Sequence, residues 1–433
     1  MGVRIFFIAP DFVWPSVRGG HVRVLSQLRV LTSLPEVEYV RVFWLREEPV
    51  TPEQRDGLSR AMPKLDVREP VFHPIHLARH PRYVPRVAWL RIAHGVPYVA
   101  GKWESPTVRR ALEAELREGR FDAVWLGALG TARYLPLVRL LVPRARVVLD
   151  EHNVESDIWE QFARRQRGVR RAVAETEWRA TRRFEREVLR EVDAVGAISA
   201  EDARAYRDLA GVEAHYVPQV VPFVARAPAA STGRQICFVG TLNWHPNELG
   251  LNWFCEAVWP LVRARLPDAT FEIAGSGLPI DGAGSPLAPA AWRAPGVTTL
   301  GFLPDLRPLY ERAAVMVAPI LGGSGVRMKL LEAFQSGVPV VTTPEGARGL
   351  AIAPGREAFV EGDPDAFAAR VVEVATSATL QQRMREAGYA YLVRHHGLAP
   401  AQRVVRVLLG LAASYRPAMP PVVAQGSPAR WLL

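Results

Sequence analysis

Residues 318–343 read APILGGSGVRMKLLEAFQSGVPVVTT. The apolar run VMVAPI (315–320) that enters this stretch is a predicted strand, too apolar to have a solvated face. Gly322, Gly323 and Gly325 then permit close backbone approach. Arg327–Gly337 reads as a helix with Arg327 and Lys329 in its first turn and glycine at its end, and VPVVTT (338–343) is the next strand. Strand, helix and strand at this spacing make the βαβ unit of a parallel sheet. The free amides of a helix N-terminus, with two cations beside them, suit an anion such as a diphosphate. Glu332, five residues after Arg327, is a carboxylate able to accept two hydroxyl groups of a ribose. Diphosphate and ribose together describe a nucleotide. Taken alone, Glu332 would read as a solvated helix carboxylate.

Outward from this stretch the same alternation continues. ICFVGT (236–241) is a strand, ELGLNWFCEAVWPLVRARL (248–266) a helix, ATFEIAGSG (269–277) a strand with a glycine loop, and Asp305–Ala314 a short helix. AFVEGDPDAFAARVVEVA (358–375) extends the series. A second series occupies the N-terminal half: strands at 3–10, 37–45, 121–129, 145–153 and 193–199, a helix at 21–34 and a long arginine-rich helix over 164–191. Ser199 caps the helix that follows the last of these strands. VPQVVPFVARAPAASTGRQ (217–235), with three prolines and a run of small residues, reads as a linker. The expected division is an N-terminal domain 1–216, a linker 217–235, a second domain 236–393 and a C-terminal helix and tail 394–433 returning to the first domain. Ligands of such sheets bind beyond the carboxyl ends of the strands, and two facing domains would place the site in the cleft between them.

The composition, 49% hydrophobic and 23% charged over 433 residues, is that of a globular chain and excludes disorder, collagen and a disulfide-rich miniprotein. Cys237 and Cys255 lie in apolar runs and read as reduced core residues. The N-terminus has no signal-peptide pattern, and Phe6 stands where a myristoylation signal needs Ser or Thr. No uncharged run is long enough to span a bilayer, so a cytoplasmic protein is expected, peripheral at the inner membrane face if it meets a membrane at all. The net charge is +10, carried by arginine, since Lys64, Lys102 and Lys329 are the only lysines. Residues 1–220 hold 35 basic and 29 acidic side chains, residues 221–393 hold 14 and 15, and residues 394–433 hold 5 and 0. The excess therefore belongs to the first domain and the tail. The segment 79–103 interleaves arginine with Trp89, Tyr98 and Trp103, as a membrane-facing patch would and as a merely arginine-rich surface also would.

The 318–343 stretch, FVGTLNWHPNELG (238–250), FEIAGSG (271–277) and VTTLGFLPDLRPLYERAAVMVAP (297–319) resemble, in order and spacing, the donor domain of the retaining glycosyltransferases of family 4. PSVRGG (15–20) and DEHNVES (150–156) resemble that family's N-terminal half more loosely. The resemblance implies an α/β chain with the GT-B fold, two Rossmann-like doubly wound domains facing a central cleft. It implies transfer of a hexose-type sugar from a UDP- or GDP-sugar to a glycan or lipid-linked acceptor, with no metal and no other cofactor.

Residue by residue, Glu332 matches the ribose-binding second Glu of the family signature, and Ser324 stands where the first Glu belongs. Sugar contacts then fall to the groups around Gly323, Ser324, Gly325 and Val326. The family's Arg and Lys after the first strand of the second domain are absent from GTLNWHPN (240–247), and Arg327 and Lys329 are expected to replace them. Gly19 and Gly20 match the glycine loop that approaches the diphosphate, and Gly240, Thr241, Asn243, Gly275 and Phe302 complete the donor site. A histidine the family often has after the fourth strand is missing at Gly127–Ala128, and His152 matches another, near the reacting sugar. His152 could instead cap the next helix, His21 could be an ordinary helix-start residue, and Asn243 and His245 could only shape their loop. Asp363-Pro364-Asp365 imitates an acidic metal motif but sits where a helix cap belongs. The arginine-rich helix has matching acids and reads as a solvated face. A nucleotide-sugar epimerase and a catalytically silent assembly partner remain open alternatives. Nothing beyond the pI suggests nucleic acid.

Overall fold

The computed structural model describes residues 2–14, 19–46, 50–73, 83–221, 234–282, 284–322 and 328–413. The chain divides into two compact units. The first runs to Val220 and takes up the chain again at Leu398; the second spans Val221–Gly397.

The first unit is built on a parallel sheet of β1 (Val3–Ala9), β2 (Val37–Arg46), β3 (Leu65–Val67), β4 (Val71–Phe72), β5 (Ala123–Leu126), β6 (Arg146–Asp150), β7 (Ala194–Ala197) and β8 (Ala214–Tyr216). Its order is β3-β2-β1-β5-β6-β7-β8, with β4 also paired to β2. β1 shows why the sheet is covered on both faces. Its side chains alternate, Phe6 and Ile8 entering one apolar cluster and Ile5, Phe7 and Ala9 another, and all five are fully buried. The helix Leu398–Leu408 contributes Ala401, Val404, Val405 and Leu408 to the second cluster, and its Arg406 meets Glu36 at 2.7 Å.

The second unit has β9 (Gln235–Val239), β10 (Thr270–Ala274), β11 (Val297–Gly301), β12 (Ala313–Ala318), β13 (Val340–Thr342) and β14 (Ala358–Val360) in the order β11-β10-β9-β12-β13-β14, all parallel. β9 alternates in the same way: Ile236 and Phe238 face one cluster, Cys237 and Val239 the other. Both cysteines are free thiols in the core.

Several expected boundaries move. The long helix is two, Glu155–Arg165 and Gly168–Glu191, broken where Gly168 takes φ +56°. The start of the expected linker is core: Val217 and Val220 are buried in the first unit, and the Val217 amide bonds the Ala197 carbonyl. The helix expected over 305–314 is only Arg307–Arg312, because Ala313 already belongs to β12. The helix expected over 248–266 begins at His245 and contains a wider turn at Phe254–Val258, ahead of Pro260. Asp363 caps the helix Pro364–Thr376 through the Ala366 amide, 3.0 Å, as its position suggests.

Candidate functional site

In the second unit the strand order reverses between β9 and β12, the place where open α/β sheets bind ligands. The loops beyond the strand ends are tied together by backbone bonds. The Gly240 amide donates to Ala274 O at 3.1 Å, Leu242 to Ser276 O at 2.7 Å and Gly275 to Gly301 O at 2.7 Å. A Cβ on Gly275 would lie 1.7 Å from the Gly240 carbonyl oxygen, so only glycine fits there. On the other side, Thr342 Oγ1 donates to Ala318 O at 2.8 Å, and Thr343 bonds the Ile320 carbonyl. Gly240, Thr241 and Asn243 follow β9, Gly275 follows β10 and Phe302 follows β11, with the Phe302 ring exposed. The strand ends thus gather the sequence-predicted residues of this unit on one rim. Gly323, Ser324, Gly325, Val326 and Arg327 lie outside the described residues.

Lys329 and Glu332 are one turn apart on the helix Met328–Gln335, which follows β12. Lys329 Nζ donates to Asn247 Oδ1 at 2.6 Å and stands 4.3 Å from the centre of the Phe238 ring. Asn247 is buried, and its Nδ2 donates to the Thr241 carbonyl at 2.8 Å. Gly240 leaves the room for this: a Cβ there would meet Asn247 Nδ2 at 2.9 Å and Lys329 Nζ at 3.1 Å. Lys329 is thereby carried from the helix after β12 to the end of β9. Burial raises the affinity of the Glu332 carboxylate for a proton, and Lys329 partly offsets this. Behind it, the buried Tyr310 hydroxyl has no hydrogen-bond partner among the described residues, and burial together with Glu332 holds its pKa well above the ordinary phenol value.

Asn247, Phe238 and Tyr310 escape a sequence reading. Asn247 is the third residue of a helix whose first turn holds a proline, a usual place for a polar residue. Only the fold shows that its amide faces a lysine 82 positions away.

In the first unit, Gly19 and Gly20 open the helix Gly19–Ser33 after β1, and His152 follows β6. Beneath them Arg23 Nη2 meets Asp150 Oδ1 at 2.6 Å and Nη1 donates to Val217 O at 2.8 Å, with the two side chains 2% and 0% exposed. Burial, reinforced by Arg23, lowers the His152 pKa to about 3, so the ring is neutral at working pH. Its Nε2 has no partner among the described residues. His152 does not cap the following helix. That task belongs to Glu185, which accepts the Glu155 and Ser156 amides at 2.9 and 3.2 Å. Glu151, also buried, accepts the Leu129 amide at 3.1 Å. Burial first, then Glu185 and Glu155, raise the Glu151 pKa well above the carboxylate range. His21 Nε2 lies 3.0 Å from Asp11 Oδ2. Asn243 and His245 are exposed, and Asn243 packs under Gly277. No group of three His, Cys, Asp or Glu side chains suited to a metal ion occurs among the described residues.

Residues 233–377 match the family described as glycosyl transferases group 1. A 141-residue segment is 28% identical to an uncharacterised 44.6 kDa protein of the cps region of Klebsiella pneumoniae, covering 32% of this chain and 36% of that one. The alignment therefore spans about a third of that relative's length. Among solved structures, the fold is similar to that of Anabaena HepE in complex with UDP and glucose, with a TM-score of 0.62 and 12% identity over 95% of this chain and 100% of the other. It is also similar to sucrose-phosphate synthase from Thermosynechococcus elongatus, with a TM-score of 0.63 and 15% identity over 95% of this chain. A TarM variant from S. aureus in complex with fondaparinux, α-GlcNAc-glycerol and UDP gives 0.64 and 10%, over 94% of this chain and 99% of that one. The chain has the GT-B fold, two parallel-sheet Rossmann-like domains, and the similarity to the group 1 glycosyl transferases falls within its second unit.

Proposed function

We propose that the protein is a retaining, metal-independent glycosyltransferase of family 4 type, moving a hexose-type sugar from a UDP- or GDP-sugar to a glycan or lipid-linked acceptor. The observation that carries this reading is Lys329 and Glu332 side by side at the strand-order reversal, with Lys329 drawn to the end of β9 by Asn247. In this reading Glu332 takes the two ribose hydroxyls. Lys329, Arg327 and the backbone amides of residues 323–326 take the diphosphate, and the exposed Phe302 ring contributes to the base side. The chemical demand is to stabilise a departing diphosphate and an oxocarbenium-like sugar, which fixed cations and amides supply without reorganisation. The departing phosphate takes the acceptor proton on the same face, so no glycosidase-type nucleophile is required. By the family resemblance neutral His152 is the residue near the reacting sugar, and Gly19 and Gly20 are glycines that approach the diphosphate. The UDP and UDP–glucose ligands of the HepE structures support the donor class.

The test is thermal stabilisation and hydrolysis across a panel of UDP- and GDP-sugars, with and without a chelator. One donor should stabilise the chain and turn over slowly in either condition. Arg327→Ala should lower kcat/KM about 100-fold or more, as loss of a charge-stabilising group does, and Glu332→Ala should weaken donor binding severely, as loss of two hydrogen bonds to a charged group does. Undiminished nucleotide binding in both variants would overturn the site. Binding without any turnover would favour a silent homologue, and an altered sugar still attached to its nucleotide would favour an epimerase.

A further inference from the structure

The solvent face of helix Gly168–Glu191 is more positive than its sequence suggests. The helix sequence holds seven arginines and five glutamates, which reads as near balance. Two of those glutamates, however, are turned inward. Glu185 caps the helix that starts at Glu155, and Glu177 accepts the Tyr98 amide and the Arg91 guanidinium. The seven arginines all face solvent, against Glu175, Glu187 and Glu191. Their ion pairs, such as Arg183–Glu187 at 2.8 Å, are exposed and therefore weak.

A groove of about 660 Å³ runs beside this helix, lined by Arg91, His94, Arg133, Arg179 and Arg183 and by Glu187 and Glu191, with Arg91 and Arg133 held by Glu177 and Glu104. A second of about 590 Å³ shares Arg179 and Arg183 and reaches Arg190. Apolar side chains stand out next to this charge. Trp89 is 59% and Ile92 85% exposed, and the Trp89 ring meets His94 of the groove edge-on at 4.5 Å. Val169 and Val173, also exposed, continue the face of Thr176 and Ala180, which line the same groove.

We propose that this face docks on an anionic phospholipid surface. The exposed arginines of helix Gly168–Glu191 that line the two grooves engage headgroup phosphates, and Trp89 and Ile92 enter the interfacial layer. Guanidinium groups suit phosphate, giving the electrostatic half of the fit. The protruding tryptophan and isoleucine decide between partners: a soluble polyanion offers them nothing to bury, whereas a bilayer interface does. This surface belongs wholly to the first unit and is independent of the donor-site reading.

The test is co-sedimentation of the full chain with vesicles of phosphatidylcholine alone or with added phosphatidylglycerol, alongside soluble dextran sulfate. The wild type should partition at least about tenfold better to the anionic vesicles. An arginine near such a surface is worth about fivefold, so Arg179→Glu with Arg183→Glu should cost about 25-fold or more. Arg383→Glu, an exposed reversal in the second unit, should cost little. Trp89→Ser with Ile92→Ser should remove the part of binding that survives about 0.5 M salt, where electrostatics is screened. Circular dichroism confirms that each variant is folded. No preference for anionic vesicles, retention of that preference in the double reversal, or binding to dextran sulfate without vesicles would each overturn the proposal.

Discussion

The two units share one plan and spend their charges in opposite ways. In each, the order of a parallel sheet reverses beside its first strand, between β1 and β5 in one and between β9 and β12 in the other. At the carboxyl ends of the first sheet the ionisable groups are buried and bonded to the protein itself: Asp150 to Arg23, Glu151 to the Leu129 amide, Glu185 to the start of a helix. In the second, the loops are laced by backbone bonds, and Lys329 and Glu332 are left half-buried at the rim. Charge that is fully enclosed fixes a shape. Charge left half-buried at a rim can meet a ligand.

The largest effect should come from breaking the enclosed pair. Arg23→Met leaves Asp150 without its cation in a site closed to water, which costs about 3–5 kcal/mol. For a unit of this size that lowers the melting temperature by about 6–15 °C in scanning calorimetry. Replacing Asp150 by Leu as well should recover most of the loss, since the penalty is an unpaired buried charge. A variant that melts with the wild type would show that the first unit is not held by this pair.

Glu185 offers a second test, through pH. Its pKa is raised from 4.5 to about 7, by burial first, with the Ser156 and Glu155 hydrogen bonds opposing. A carboxyl group whose folded value exceeds its unfolded one stabilises the protein below the unfolded value, and that contribution is lost as pH rises through the folded one. The window is therefore pH 4.5 to 7, and its depth is about 3 kcal/mol. His152 acts in the other direction, its contribution falling away as pH drops from 6.5 toward 3, and the two partly cancel in the wild type. Glu185→Gln removes one of them. Its stability relative to wild type, measured as urea midpoints at pH 5 and pH 7.5, should rise by up to about 3 kcal/mol between the two. A difference that does not change with pH would mean that Glu185 is ionised throughout.

The same contrast explains what could be read from the sequence. Both sheets were legible because the cores of their central strands, IFFIA (5–9) and ICFV (236–239), are apolar without interruption, which only two-sided burial permits. Lys329 and Glu332 were legible because they lie on one short helix after a glycine-rich stretch of sequence. The groups that hold them were not. Asn247 reaches Lys329 and Arg23 reaches Asp150 across 82 and 127 positions, and no local spacing encodes such a pairing. The arginine-rich helix does carry matched, exposed pairs, but which of its glutamates turn inward could not be read, since that depends on amides at 98, 155 and 156. Breaks inside elements were missed where one glycine or proline decides, as at Gly168 and Pro260.

The smallest effect tests whether the second unit really holds its lysine for a ligand. Asn247→Ala removes the acceptor of the 2.6 Å bond and leaves Lys329 with its ring contact to Phe238. A hydrogen bond to a charged group is worth about 1.5–3 kcal/mol at most, and part is regained from water at this half-buried position. The expected result is a rise of about five- to tenfold in the Kd of the nucleotide by calorimetry, near 1 kcal/mol, with little change in melting temperature. On a Lys329→Ala background the same substitution should do almost nothing, because the two residues act as one unit. Asn247→Asp keeps an acceptor but cancels the charge, so it should weaken nucleotide binding more than alanine does, most of all at low salt. Additive losses in the double variant would instead mean that Asn247 works through its bond to the Thr241 carbonyl, shaping the loop after β9, and that Lys329 finds its place without it.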